Sequence, residues 1–97
     1  MVKKVVWSTR ATASFDKIIN YLEQNWSEKE IEKLINYTQK IIIQLSSTTV
    51  TFRSSGKKNI HEVLVTKHNL LIYRIYHHQI ELLVFYDTRQ HPKKKKF

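Results

Sequence analysis

The sequence predicts an α+β domain in which a helical hairpin packs on a mainly antiparallel four-stranded sheet, in the order β-α-α-β-β-β. Three observations predict this fold. Apolar residues recur at helical spacing from about residue 11 to residue 45. Three runs rich in β-branched, aliphatic and aromatic residues follow, separated by short polar segments. A further β-favouring run precedes the helices, and this alternation of strands and paired helices is typical of the α+β class.

The first strand is predicted over Val2 to Trp7, because Val5, Val6 and Trp7 are apolar and favour extended backbone. Ser8 and Thr9 follow and offer the side-chain oxygens that cap a helix N-terminus. A helix is therefore expected to begin directly after this strand.

Two helices are predicted, joined at Ser27. The segment from Ser27 to Glu30 has the form of a capping box, in which the Ser27 hydroxyl bonds the Glu30 backbone and the Glu30 carboxylate reaches back. The matching apolar stripes predict an αα-hairpin. The stripe residues are Phe15, Ile18, Ile19, Leu22 and Trp26 in the first helix, and Ile31, Leu34, Ile35, Thr38, Ile41, Ile42 and Leu45 in the second.

Three strands are predicted after a connecting segment from Ser46 to Gly56. They span Ile60 to Val65, Leu70 to Tyr76 and Ile80 to Tyr86. The polar segments between them are short enough for hairpins, which makes these strands antiparallel. The last two are apolar almost throughout, so they are expected at the centre of the sheet, with the first strand pairing alongside.

Length and composition indicate one domain over residues 1–92, followed by a basic tail over residues 93–97. The chain has 97 residues, 41% of them apolar, which suffices for one modest core. No stretch approaches the ~18 consecutive apolar residues of a membrane span. The N-terminal apolar run is too short for a secretory signal, and the chain has no cysteine. We therefore expect a cytoplasmic protein without a membrane partner.

The formal net charge of +9 predicts an anionic partner. The two helices carry mixed charge, unlike a membrane-surface helix with one cationic face. Positive charge is instead concentrated over residues 53–58 and 89–96 and at Lys67 and Arg74. Nucleic acid or an acidic protein is therefore the expected partner, and both can apply.

Arg74 is a charged residue inside an otherwise apolar strand. Burial of an unpaired guanidinium costs several kcal/mol, on the order of the unpaired-ion penalty. One interpretation is that Arg74 pairs across the sheet with Glu62 or Glu81. The other is that Arg74 lies at the floor of an anion-binding concavity, where its planar donor fork suits a phosphate.

A second candidate site follows the last strand. Tyr86, Asp87, Arg89 and His91 lie within a short stretch of chain, and loops held by a rigid sheet often carry chemistry. Arg89 can stabilise charge on a phosphoryl oxygen, and His91 can act as an acid or base near neutral pH. The alternative is a solvated turn in which Asp87 pairs with Arg89. We expect a hairpin to bring this cluster close to Arg74.

Several kinds of binding site and reaction are excluded by residues or motifs that the chain lacks. A single glycine excludes a glycine-rich phosphate loop, no cofactor is expected, and the histidines lack the spacing of a metal site. A nuclease without metal needs a 2'-hydroxyl as its nucleophile, which restricts it to RNA. The lysine pair Lys57 and Lys58, and Lys93 and Lys94 of the tail, would extend a nucleic-acid-binding surface that includes Lys67 and Tyr86.

The ordered set of motifs resembles the RelE/ParE superfamily of type II toxins over nearly the whole chain. Val6-Trp7-Ser8 before an amphipathic helix resembles the opening of these toxins. The segment from Leu71 to Tyr76 resembles their third-strand motif, an Arg flanked by aromatic and aliphatic residues. The segment from Phe85 to Pro92 resembles the ending of many bacterial members.

The resemblance implies one of two activities, each held inactive by a cognate acidic antitoxin. RelE-like members cut mRNA on the ribosome without metal, whereas ParE-like members poison DNA gyrase. For the nuclease, the resemblance implies that Arg74 and Arg89 engage the scissile phosphate, that His91 is an acid or base, and that Glu62 is a second-strand base. Tyr86 lies before Arg89, whereas the final Tyr of some members lies after the corresponding Arg, and Lys67 is the candidate for the family's lysines.

The leading expectation is therefore a ribosome-dependent mRNA endoribonuclease, with a gyrase poison as the alternative. A third possibility is an inactive relative that only binds its antitoxin. The nuclease hypothesis requires Arg74 and Arg89 to converge in one cationic pocket. If the two guanidiniums lie on opposite surfaces, a role in binding is the better account.

Overall fold

The computed structural model describes residues 3–47 and 59–89. Within these ranges the elements occur in the predicted order β-α-α-β-β-β. Their bounds are β1 Lys4–Trp7, α1 Thr9–Asn25, α2 Glu28–Ser47, β2 Ile60–Thr66, β3 Asn69–Ile75 and β4 Gln79–Asp87. Each predicted element is thus present, with ends that differ from the prediction by a few residues.

The four strands form one mixed sheet in the order β1-β4-β3-β2. β2, β3 and β4 are antiparallel neighbours, and β1 pairs in parallel with β4. The polar His77 and His78 lie in the short connection between β3 and β4, as expected of a hairpin tip. The prediction of a largely antiparallel sheet with the last two strands at its centre is confirmed.

The start of α1 follows the prediction, and the start of α2 differs from it. The Ser8 hydroxyl caps α1 by accepting a hydrogen bond from the Ala11 backbone N–H at 2.9 Å. At α2, the Glu30 backbone N–H donates to the Ser27 carbonyl oxygen at 3.0 Å. The Glu30 carboxylate bonds Arg89 instead of reaching back to Ser27, because a guanidinium is a stronger partner than a backbone amide.

Both helices cover the same face of the sheet. The main core combines helix residues such as Leu22 and Leu34 with Leu71 and Tyr73 of β3, all of them almost fully buried. A second, smaller cluster includes Leu70 and Ile72 of the same strand. Since successive strand residues point to opposite faces, the second cluster lies on the face opposite the helices.

Thr38 carries a polar group into the main helical layer. It is 3% exposed, and its hydroxyl has no hydrogen-bond partner among the described residues. A buried hydroxyl without a partner costs about 1–3 kcal/mol of desolvation.

Thr38→Val is therefore expected to raise the free energy of unfolding by about 1 kcal/mol. The substitution keeps the side-chain shape and removes the unpaired hydroxyl. Urea unfolding at neutral pH measures the effect, and Thr38→Ser, which keeps the hydroxyl and removes a methyl group, is the matched control. A loss of stability in Thr38→Val would mean that the hydroxyl has a partner in solution.

Candidate functional site

A network of polar side chains is built where β4 ends. Asp87, the last residue of β4, is 1% exposed and accepts a hydrogen bond from Asn69 Nδ2 at 2.8 Å. The Arg89 backbone N–H donates to Asp87 Oδ1 at 2.8 Å. The Arg89 guanidinium donates to both carboxylate oxygens, from Nε at 3.2 Å and from Nη2 at 2.9 Å. Asp87 and Arg89 are therefore paired, as one interpretation of the sequence predicts, but in a buried setting instead of a solvated turn.

Arg89 also joins the end of β4 to the helical layer. Its Nη1 donates to Glu30 Oε1 at 2.8 Å, and its guanidinium lies 4.7 Å from the centre of the Trp26 ring, a cation–π contact. Only 11% of the Arg89 side chain is exposed. Two carboxylates and one aromatic ring therefore occupy most of this guanidinium.

The charges of the network favour its ionised form. Burial acts to raise the pKa of Asp87, but the hydrogen bonds from Arg89 and Asn69 outweigh it and hold this pKa below its ordinary value. The hydrogen bond from Arg89 likewise lowers the pKa of Glu30. Both carboxylates are therefore ionised at neutral pH.

We expect the network to make folding sensitive to acid. Because the pKa of Asp87 is lower in the folded protein than in the unfolded chain, its contribution is complete above the ordinary carboxyl pKa of 3.8 and is lost as the pH falls through the folded value. Urea unfolding between neutral pH and about pH 2 measures this loss. The Asp87→Asn variant should show a shallower decline, and an equally steep decline in that variant would contradict the assignment.

Arg74 lies elsewhere in the sheet. It is opposite Ile60 of β2 and Glu81 of β4, and it follows Leu70 and Ile72 on the face opposite the helices. Its side chain is half-buried, and its guanidinium lies 6.0 Å from the centre of the Tyr76 ring. Its Nε has no hydrogen-bond partner among the described residues. Glu81 accepts a hydrogen bond from the Tyr76 hydroxyl at 3.2 Å.

The structure does not bring Arg74 and Arg89 together, so the expectation that they converge is wrong. Arg89 contacts the helical layer, whereas Arg74 lies on the opposite face of the sheet. They also lie at opposite ends of β3. The network is next to Asn69, and Arg74 is five steps further along the strand, about 17 Å at the rise of a β-strand.

The other predicted site residues are distributed over β2, β4 and the turn between β2 and β3, and some lie outside the described residues. Glu62 is 6% exposed and lies opposite Ile72, on the same face as Arg74. Tyr86 is half-buried and lies opposite Leu70, with the Arg10 Nη2 donating to its hydroxyl at 3.5 Å. Lys67 is exposed in the turn between β2 and β3. The predicted residues His91, Lys57, Lys58, Lys93 and Lys94 lie outside the described residues.

A cleft of about 760 Å³ opens beside the network, between α2 and the end of β2. We call it the α2–β2 cleft. Its lining includes Trp26, Glu30, Lys33, Leu64, Lys67 and Arg89. Sequence reasoning names Arg89 and Lys67 as site residues but treats Trp26 and Glu30 as parts of a helix stripe and a helix cap. The sequence feature that could identify these two as site residues is their position on either side of the helix joint at Ser27.

The described residues meet the requirements of neither a three-ligand metal site nor a membrane-spanning helix. Within residues 3–47 and 59–89, no three His, Asp or Glu side chains are grouped so that they could hold a metal ion. Neither described helix has the length and apolar character needed to cross a bilayer.

Two helices lie on one face of a mixed four-stranded sheet, and the edge strand β1 is parallel to its neighbour. This arrangement defines the class of fold, and several solved structures are similar to it. A chain from the chromosomal ParDE toxin–antitoxin system of P. aeruginosa is similar, with a TM-score of 0.73 and 13% identity, over 89% of this chain and 96% of that chain. YafQ from E. coli is similar with a TM-score of 0.56 and 12% identity, over 91% and 96%. The Helicobacter pylori protein HP0894 has a TM-score of 0.58 and 16% identity, over 92% and 97%.

This protein has the α+β fold of the RelE/ParE-type toxins. The likeness extends over nearly the full length of each compared chain, so the fold expected from the resemblance is confirmed. No protein-family profile and no curated protein sequence matches this chain.

Proposed function

We propose that this protein is the toxin of a type II toxin–antitoxin pair and that it inhibits its target by binding, without cutting RNA. An acidic antitoxin neutralises it. The shared fold supports the general class, since YafQ was solved in a DinJ–YafQ toxin–antitoxin complex. The net charge of +9 favours capture by an acidic protein.

The observation that carries the binding mechanism is the separation of Arg74 from Arg89. Stabilising the charge of a phosphoryl transition state requires donors that converge on one phosphate. Arg89 is instead held by Asp87 and Glu30, and Arg74 lies on the other face of the sheet. The ParE-like branch of the superfamily needs only a contact surface, and its resemblance implies DNA gyrase as the target.

The ribosome-dependent endoribonuclease is the second candidate. It is favoured by Glu62 and Arg74, which share one face of the sheet, and by the Nε of Arg74, which has no hydrogen-bond partner within residues 3–47 and 59–89. In that case Arg74 would engage the phosphate of ribosome-bound mRNA, and His91 would supply the acid or base. Arg89 would then act by positioning the end of β4.

Induced expression in a bacterial host, followed by two target assays, tests the proposal. We expect growth arrest, cleaved DNA–gyrase complexes and intact mRNA. Discrete cuts in ribosome-bound mRNA that disappear in His91→Ala would replace the binding mechanism with the nuclease. General acid–base catalysis contributes about 10²–10⁴-fold, so the loss would be large. Absence of growth arrest would contradict the toxin assignment itself.

A further inference from the structure

The α2–β2 cleft exposes apolar side chains in a concave surface. Trp26 is 49% exposed and lines the cleft. Tyr37, one helical turn beyond Lys33 on α2, is 42% exposed and lines it as well. Grouped apolar residues of this kind, rimmed by polar groups, mark interaction sites.

The rim of the cleft is cationic. Lys33, Lys67 and Arg89 line it, and Glu30 is the carboxylate among its lining residues. Glu30 is already paired, with Arg89 Nη1 at 2.8 Å and with Lys33 Nζ at 3.7 Å. Arg89 is paired with Asp87 as well, so the positive charge left for a ligand is that of Lys33 and Lys67. An occupant with carboxylates beside an apolar side chain is complementary to it.

We propose that the α2–β2 cleft is the docking site of an acidic peptide segment of the antitoxin. Apolar side chains of this segment pack against Trp26 and Tyr37, and carboxylates on either side of them pair with Lys33 and Lys67. This inference rests on the proposed function and deepens it, because it assigns the surface by which the partner is recognised.

The charge around the cleft favours a peptide over nucleic acid or a second copy of this chain. On the far side of Trp26 lies a second cavity, lined by Glu23, Glu28 and Glu32. A polyphosphate chain continuing past Trp26 would meet these carboxylates, whereas a peptide with locally placed charges can end before them. A second copy would carry the same charge of +9 and be repelled.

The fluorescence of Trp26 can report occupancy of the cleft. The chain has two tryptophans, so the full-length Trp7→Phe variant leaves Trp26 as the sole indole. The probe is a synthetic peptide in which Glu and Leu alternate around one central Phe. We expect its addition to shift the Trp26 emission in a saturable manner, with an affinity that falls as salt rises.

Matched charge reversals localise the binding. Lys33→Glu combined with Lys67→Glu should weaken binding by at least about tenfold. Lys4→Glu combined with Lys17→Glu makes the same change in net charge at exposed positions on β1 and α1 that do not line the cleft, and should have a much smaller effect. The same peptide with Gln in place of Glu should bind far more weakly.

Three results would overturn the inference. No emission change up to about 1 mM peptide would show that the cleft does not accept this chemistry. An equal loss in the two double variants would indicate binding through net charge alone. A larger and tighter response to a single-stranded oligonucleotide than to the peptide would assign the cleft to nucleic acid.

Failure of this inference can be separated from failure of the proposed function. If wild-type protein arrests growth but the peptide does not bind, the cleft assignment is wrong and the toxin assignment stands. If the peptide binds but expression has no effect on growth, the protein has a peptide-binding cleft and is not an active toxin.

Discussion

Arg89→Gln is expected to lower the free energy of unfolding by about 3–5 kcal/mol, the loss seen when one member of a buried ion pair is removed. Among the described residues, the substitution leaves the buried carboxylate of Asp87 with Asn69 as its remaining side-chain donor. It also removes the bond to Glu30 and the contact with Trp26. Urea unfolding at neutral pH, compared with wild type, measures the loss.

Two control variants separate this explanation from a general effect of mutation. Glu30→Gln should lower the free energy of unfolding much less than Arg89→Gln. Glu30 is more exposed than Asp87, and its substitution leaves no buried charge without a partner. The double variant Asp87→Asn with Arg89→Gln should be more stable than the sum of the two single losses predicts, since residues in one network couple. Additive losses in the double variant would indicate that the pair does not interact energetically.

The measured stability of Arg89→Gln also determines how the activity of this variant is interpreted. If Arg89→Gln loses both stability and toxicity, the loss of toxicity reports the fold. If the variant stays folded at low temperature and loses mRNA cleavage there, Arg89 acts in the reaction and the nuclease becomes the better function. Folding and activity therefore need to be measured at the same temperature.

Phe85→Ala should lower the free energy of unfolding by about 3–5 kcal/mol, as is usual for removal of a buried aromatic ring. Phe85 is 2% exposed and stacks on Trp7 with ring centres 5.3 Å apart. It also meets Phe15 edge-on at 5.0 Å. One ring therefore joins β1, α1 and β4, and its removal leaves a cavity between all three elements.

Phe85→Leu is the matched control, because it keeps an apolar side chain in the same place. We expect this variant to lose roughly half as much stability as Phe85→Ala or less, since the residual cavity is smaller. Thermal and urea unfolding of the three proteins provide the comparison. Equal losses for Leu and Ala would show that the aromatic contacts, and not the filled volume, stabilise this junction.

Much of the fold was predictable from local patterns. The β-favouring run that ends at Trp7, the capping oxygens of Ser8 and Thr9, and the helical spacing from about residue 11 predict a helix directly after β1, and the Ser8 cap confirms it. The apolar runs predict β3 and β4 at the centre of the sheet, where the structure places them. These features are predictable because burial on one face imposes a fixed spacing on the chain.

The site was less predictable, because its contacts join residues far apart in sequence. Glu30 and Arg89 are separated by 59 positions, and no local pattern links them. The capping-box motif at Ser27 even indicates a different partner for Glu30. The Asp87 and Arg89 pair, in contrast, is two residues apart and was one of the two interpretations that the sequence supports.

The amino-acid sequence alone determined the order of the elements, the stripe of each helix and the strong positive charge, because these depend on residue type and near-neighbour spacing. Only the tertiary structure decided that Arg74 and Arg89 face away from each other. Strand register and the alternation of side chains across a sheet set the face of each residue. The helical layer then supplies Arg89 with Glu30 and Trp26 as partners, whereas Arg74 lies on the opposite face.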